Sequence, residues 1–441
     1  MFEHDYKSSR ELMDRRSLLR SAMAATTVGV GTAILSRPEP VSAQTTTATT
    51  AGYFFNVKDY GATGNGSTSD TDAIQAAIDA AIAVGGGIVL FPAGSYLITS
   101  TAHTTGTTRL RINNAASVAL QGAGIEATYL VVPTGASQDT ITITGSIGSS
   151  VKMLSIYSGT DVTSGRSIFL DACFDIVIEE VAMYRQNFCV ELNGGSLIKI
   201  NKCHLEMSAN GVGVRVYGGA VDTMLSQTFT KSGLYAHQFA DCGGFFIDSC
   251  DSINAQYGLV INPTGTQTVL WGMICNSSWD TCTYDCIHIV PGTGGFASGI
   301  NFSNCWSSSS IGGGCCVVAG NVDGCEFVGH RFFGAAVGNG LWVSGPARNI
   351  LADSSIAAGI VNGYGFVFVG GATSFAVRNC FSGKYAAVSA SSPSAPNKYG
   401  IGVDTSCSKY MLVNNILASN TTSALVDSGV APKLTAPNLV T

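Results

Sequence analysis

The sequence predicts an all-β solenoid, a long stack of short strands and tight turns closed at its N-terminal end by one helix. Three observations carry this. The stretch Asn56–Ser100 reads as an end cap followed by a first rung. From about residue 165 an alternating strand recurs every 20 to 35 residues, a period that marks coil-on-coil architectures. The composition fits such a stack, with 53 glycines, 12% charged residues and a mean hydropathy of +0.27. Disorder, which needs high charge and low hydrophobicity, is excluded.

Within the cap, Tyr60-Gly61-Ala62 and Gly64-Asn65-Gly66 are turn chemistry, because glycine accepts positive φ and asparagine tolerates it. Asp70 or Thr71 is placed to cap a helix whose Ile74, Ile78 and Ile82 recur every four residues. Gly85-Gly86-Gly87 ends it, and Ile88 to Pro92 reads as a buried strand stopped by proline.

Residues 59–62, 64–78 and 91–96 closely resemble the N-terminal motif of the pectate-lyase-like superfamily: Asp-Tyr-Gly-Ala, then Gly-x-Gly-x-Thr-x-Asp-Thr-x-Ala-Ile-Gln-x-Ala-Ile, then Phe-Pro-Ala-Gly-x-Tyr. The resemblance implies a right-handed parallel β-helix that is exported and binds or cleaves polysaccharide. In that superfamily the motif caps the helix and carries no chemistry, which makes Asp59, Asp70 and Asp72 structural. The catalytic residues do not carry over. Polygalacturonase-like members have Asp-Asp and Gly-His-Gly, whereas this chain has no Asp-Asp and only Gly329-His330-Arg331. The clustered aspartates of calcium-dependent pectate lyases are not evident either.

Ahead of the cap, Arg15-Arg16, an apolar run from Ala22 to Leu35 and Val41-Ser42-Ala43 resemble a bacterial twin-arginine signal over residues 1–43. Asp14 and Leu18 depart from its usual residues. The leader implies a periplasmic or extracellular protein. Residues 44–54 form a Thr-rich linker, 55–430 the β-helix and 431–441 a tail. The formal charge of −6 offers no basic footprint for nucleic acid.

Two strands of each coil are visible. One follows Gly or a small residue, as in Cys189-Val190-Glu191-Leu192, Gly213-Val214-Arg215-Val216, Gly233-Leu234-Tyr235-Ala236 and Gly258-Leu259-Val260-Ile261. The other lies beside an apolar-turn-turn-Cys slot at Val181, Cys203, Thr228, Cys250, Ile274, Cys305, Cys325, Ile356, Cys380 and Ile416. Ten or more rungs follow. The recurring slot reads as an inward ladder in which cysteine is a small hydrophobe, so the fourteen cysteines are not a disulfide framework. The asparagines beside it, including Asn201, Asn304, Asn379 and Asn414, read as turn residues. Nothing in the pattern requires a metal or cofactor.

Side chains alternate across a strand and equivalent positions stack about 4.8 Å apart, so the repeat predicts outward columns. In the first strand these are Glu191, Arg215, Tyr235, Val260 and His288, then Asn193, Tyr217, His237 and Asn262. In the second they are Ala182, His204, Phe229 and Asp251, with Tyr184, Glu206 and Lys231 beside them. Later rungs present Trp342, Val367 and Gly402, so ionisable groups concentrate between residues 180 and 260. Glycoside hydrolysis needs a protonated acid and a carboxylate about 5 Å apart for retention or roughly 6.5–9.5 Å for inversion. Glu191, Glu206 and Asp251 are the candidates, with Tyr235 and His237 orienting the sugar. β-Elimination or epimerisation instead needs a base for the proton α to a uronate carboxyl and a cation for that carboxyl. Arg215 or Lys231 would bind the uronate, with His204, His237 or Tyr235 as base and acid, and Tyr217 lining the substrate. The stacked Glu191 and Arg215 equally suit a plain rung-to-rung ion pair.

The expectation is an exported enzyme cleaving polysaccharide, hydrolysis first and lyase or uronate epimerase as the alternative. A glycan-binding or surface-structural β-helix, monomeric or trimeric, is the remaining class.

Overall fold

The computed structural model describes residues 53–99, 108–135, 137–308, 310–384, 395–435 and 437–441. The expected leader and most of the Thr-rich linker lie outside the described residues. Among the described residues, no helix is long and apolar enough to cross a membrane.

The cap forms as the motif requires, with two changes of detail. The helix Thr71–Ala83 buries Ile74, Ala77, Ile78 and Ala81, while Ile82 is half-buried. A strict four-residue spacing drifts around a helix of 3.6 residues per turn, and Ala81 takes the inward place. Asp70 makes no side-chain cap to the helix. Its buried carboxylate instead accepts from Thr63 N and Gly64 N, pinning the preceding turn. Behind the helix, Gly87–Phe91 pairs with Phe54–Asn56 on one side and Val118–Gly122 on the other.

From there each coil contributes one strand to each of three parallel sheets. One coil supplies Tyr235–Phe239, Cys242–Asp248 and Asp251–Ile253 to the first, second and third sheets. The next supplies Tyr257–Ile261, Thr268–Cys275 and Ser278–Asp280, each in parallel register with its predecessor. About fourteen turns stack into a right-handed parallel β-helix. The interior is a continuous apolar ladder in which Val214, Leu259 and Ile287 are wholly buried. Aromatic rings also stack from coil to coil, Phe302 on Phe327 at 4.8 Å and Phe375 on Tyr410 at 4.8 Å. Such pairs add about 0.5–1.5 kcal/mol beyond their burial.

The corner between the second and third sheets explains the cysteine slot and corrects part of it. One residue per coil turns the chain with left-handed φ, among them Lys202, Gln227, Ser249, Asn276, Asn304, Asn379 and Asn414. The residue after it points inward: Cys203, Thr228, Cys250, Ser277, Cys305, His330, Ser355, Cys380 and Asn415. Hydrogen bonds link neighbouring members, as from Cys250 N to Ser277 Oγ (3.1 Å) and from Cys380 N to Asn415 Oδ1 (3.0 Å). The thiols of Cys203, Cys305 and Cys380 donate to backbone carbonyls there. Hence Ser277, His330, Ser355 and Asn415 hold the positions that the pattern assigned to Ile274, Cys325, Ile356 and Ile416. Cys325 lies in the second sheet between Ile300 and Ile350. All fourteen cysteines are free, and only Cys275 is not buried.

Candidate active site

The outer face of the first sheet gathers the polar side chains. At its N-terminal part, Arg166 binds Asp139 through Nε (2.9 Å) and Nη2 (2.6 Å) and Glu191 through Nη1 (3.0 Å). Glu191 also meets Arg215 Nη1 at 3.5 Å and accepts from the Tyr217 hydroxyl at 3.1 Å. Asp139 and Glu191 are almost fully buried, so this network holds two desolvated carboxylates on one committed guanidinium. Burial and the Glu191 charge push the Tyr217 hydroxyl up. Arg215 is looser, with a Nε that has no partner. Asp139, Arg166, Glu191 and Arg215 line a cavity of about 360 Å³ with Phe188.

Further along the same face lies a second group. His288 Nδ1 is 2.8 Å from Asp285 Oδ2, and Asp285 Oδ1 accepts from Gly314 N at 2.8 Å. The His288 ring stands edge-on to Tyr257 at 5.2 Å, and Tyr235 and Tyr284 flank Tyr257 at 5.8 and 5.1 Å. Burial, followed by the charge of Asp285, raises the Tyr257 hydroxyl above its ordinary range. Tyr235, Tyr257, Asn262, Thr264 and His288 line a cavity of about 240 Å³ whose wall includes Val290 and Gly292. Gln238 donates to Asn262 Oδ1 at 3.1 Å, which leaves the Asn262 amide N–H groups for a ligand.

The structure departs from the expected columns in the first sheet. Arg215 pairs with Gln238 and Val214 with His237, so Tyr235 stands beside Val212, three residues from its expected place. A slip by an odd number exchanges the two faces of a strand. His237 therefore points inward, is wholly buried and accepts from Trp279 Nε1 at 3.4 Å. It does not reach the face, and Ala240 takes its expected place beside Tyr217. Glu191, Arg215, Val260 and His288 do share one outward column.

The third-sheet columns stand as expected. Ala182, His204, Phe229 and Asp251 are in register, and so are Tyr184, Glu206 and Lys231. Glu206 meets Lys231 at 3.7 Å, and His204 is sandwiched between Tyr184 and Phe229. Burial pulls the His204 imidazole down, with Glu206 acting in the opposite sense. Asp251 is exposed and accepts from the Ser278 hydroxyl. This group is on a different sheet from Glu191, and neither first-sheet cavity includes any of it. The structure thus separates Glu191 from Glu206 and Asp251 and adds Tyr257 and Asp285, which the repeat alone did not single out. Among the described residues, no group of three or more His, Cys, Asp or Glu is arranged to hold a metal ion.

Comparison with known proteins agrees with this architecture. The chain is 64% identical over 44 residues to alginate lyase 7 of Azotobacter vinelandii, a stretch covering 10% of this chain and 5% of that one. It is 39% identical over 121 residues to mannuronan C5-epimerase AlgE4 of the same organism, covering 25% of this chain and 21% of the relative. The matched stretches therefore span a small part of these relatives. The AlgE6 A-module from A. vinelandii superposes with a TM-score of 0.63 at 16% identity, over 87% of this chain and 99% of the module. These names are those of an epimerase and a lyase, the alternative reading rather than hydrolysis. A family model described as rhamnogalacturonase A/epimerase, pectate lyase-like matches residues 54–283, over half of the sequence, and the chain belongs to that family.

Proposed function

We propose that this protein modifies a uronate polysaccharide, mannuronan or alginate, by removing the proton α to a uronate carboxyl, leading to C5 epimerisation or β-elimination. The observation that carries the reading is the Asp285–His288 pair beside Tyr257 on the first-sheet face. Asp285, fixed by Gly314 N, orients the imidazole through Nδ1 and leaves Nε2 for proton transfer. His288 takes the C5 proton, and the electron pair moves into the carboxyl group. Tyr257, whose hydroxyl keeps its proton, serves as the acid. Returning a proton to C5 from the opposite face inverts that carbon. Protonating the departing O4 instead breaks the glycosidic bond and leaves a C4–C5 double bond.

Asn262 supplies donors to the reacting carboxyl. Arg215 lies three rungs from His288, about 14 Å away, so it binds the carboxylate of another sugar of the same chain. Hydrolysis lacks comparable support. Glu191 is locked by Arg166 and Tyr217, while Glu206 and Asp251 lie on another sheet. The Arg15-Arg16 leader supports action outside the cytoplasm.

The test is incubation with mannuronan and alginate, following unsaturated uronate absorbance, reducing ends and the C5 configuration by NMR. Inverted C5 without new ends identifies an epimerase, and absorbance with new ends a lyase. Reducing ends without absorbance or inversion would defeat the proposal.

A further inference from the structure

The second sheet carries a lane unlike the acidic and basic face of the first. Its register places Gly244, Trp271, Gly299, Gly324, Asn349, Ser374 and Lys409 in one file along the helix axis. All have left-handed φ, which favours glycine, asparagine or another small polar residue. Trp271 and Lys409 are the two long side chains among them, and Trp271 has φ 55° and two thirds of its surface exposed. Its indole lies along the backbone of neighbouring coils, since a Cβ on Gly299 would meet Trp271 Cδ1 at 3.2 Å and one on Gly243 would meet Cε3 at 4.0 Å. Trp271 is thus the one aromatic side chain in a lane of otherwise small or polar residues, and it is presented to solvent rather than to the core.

The lane continues as a recess. Gly299 and Gly324 carry no side chain between the flanking columns, and in the coil after Gly324 the recess opens into a cavity of about 590 Å³ lined by Asn349, Ser374, Lys409 and Lys433. From Trp271 to Lys409 is five coils, about 24 Å.

We infer that this lane is a second polysaccharide-binding furrow, separate from the candidate active site, in which Trp271 stacks on a sugar ring and the Ser374 hydroxyl and the Lys409 ammonium hold the following sugars. Naming the ligand as the polymer modified on the first sheet rests on the reading given above. A linear glycan is favoured over a second protein because the furrow is one residue wide. Its exposed apolar side chains, Phe246, Trp271, Met273, Met411 and Leu434, are strung along the file and fall short of the roughly 800 Å² per partner of a stable protein interface. Asp323, which flanks the furrow, is paired with Arg348 at 2.9 Å and accepts from the Asn349 amide at 2.6 Å, so Ser374 and Lys409 are the polar groups open along the middle.

The test compares the wild-type full chain with Trp271→Gly and Lys409→Ala by affinity electrophoresis through gels containing alginate, alongside turnover of short oligouronates. Trp271→Gly installs the residue that the lane itself prefers, so folding is preserved. Alginate affinity is expected to fall about tenfold or more in Trp271→Gly, as when a central aromatic anchor is removed, and less in Lys409→Ala. Oligouronate turnover stays unchanged. Undiminished retardation of both variants would overturn the furrow. If the wild type is retarded but turns over no uronate, and Trp271→Gly abolishes retardation, the furrow stands and the catalytic reading fails.

Discussion

Asp285 and His288, three residues apart, are joined by a 2.8 Å contact between Oδ2 and Nδ1, and the other Asp285 oxygen is tied to the backbone of the next coil at Gly314. The carboxylate is therefore a fixed orienting group, and the imidazole is held in one tautomer and one direction.

His288→Ala is expected to lower kcat about 10²–10⁴-fold, the contribution of a positioned acid or base. Asp285→Asn acts through the histidine and costs less, with a displaced pH–rate profile. The profile separates loss of orientation from loss of fold, and thermal unfolding of Asp285→Asn should stay close to wild type.

The arginines beside Glu191 should differ sharply. Arg166→Ala leaves Asp139 and Glu191 buried without their main partner and should destabilise by about 3–5 kcal/mol in urea unfolding. Arg215 is one-third exposed and 3.5 Å from Glu191, so Arg215→Ala costs less than about 1 kcal/mol of stability. Under the proposed function it raises KM for polyuronate while kcat changes little, since its contact is remote from the reacting carbon.

Much of the fold was legible because its signals are local. Turn glycines, the helix period and the Phe91-Pro92 stop each act within a few residues, and the third-sheet columns from Ala182 to Asp251 follow from the evenly spaced corner. The first sheet failed at Gly233, which looks like the start of a strand but is a turn residue with φ 84°, the strand beginning at Tyr235. Matching Phe239 to Val216 and Ile261 as inward residues would have recovered the register and turned His237 into the core. His288 fell in the expected column, but its meaning depends on Asp285, which sits in a turn outside any period. The corner likewise accepts Cys, Ser, Thr, His or Asn of suitable size, so a cysteine-based pattern could not locate it in every coil.

His330 at that corner makes stability depend on pH. Its imidazole is wholly buried against Phe302, Phe327 and Phe332, with Nε2 2.8 Å from Ser307 Oγ, and burial drives it down to about 3. Below the unfolded value near 6.5 the unfolded chain binds a proton that the folded chain does not, so stability is present above pH 6.5 and lost progressively toward pH 3. His237, driven down to about 4 by burial, acts in the same sense. In urea titrations at pH 7 and pH 5, His330→Asn should lose less stability on acidification than wild type, by about 1–2 kcal/mol. An equal loss in both proteins would remove His330 from the account.

Cysteine roles can be separated by serine substitution. Cys305 occupies a corner where Ser277 serves in the preceding coil and Ser355 two coils on, and its thiol already donates to Ser303 O. Cys305→Ser should cost under about 1 kcal/mol. Cys325, wholly buried between Ile300 and Ile350, offers a hydroxyl no such corner, and Cys325→Ser should cost about 1–3 kcal/mol. Equal midpoints in chemical denaturation would contradict the distinction.

The most direct measurement is NMR of mannuronan incubated with the protein in D₂O, alongside His288→Ala. Abstraction at C5 predicts loss of the C5 proton signal, either as deuterated inverted uronate or as unsaturated chain ends, with the variant nearly inert. New reducing ends with the C5 proton retained, or equal activity in His288→Ala, would contradict the account.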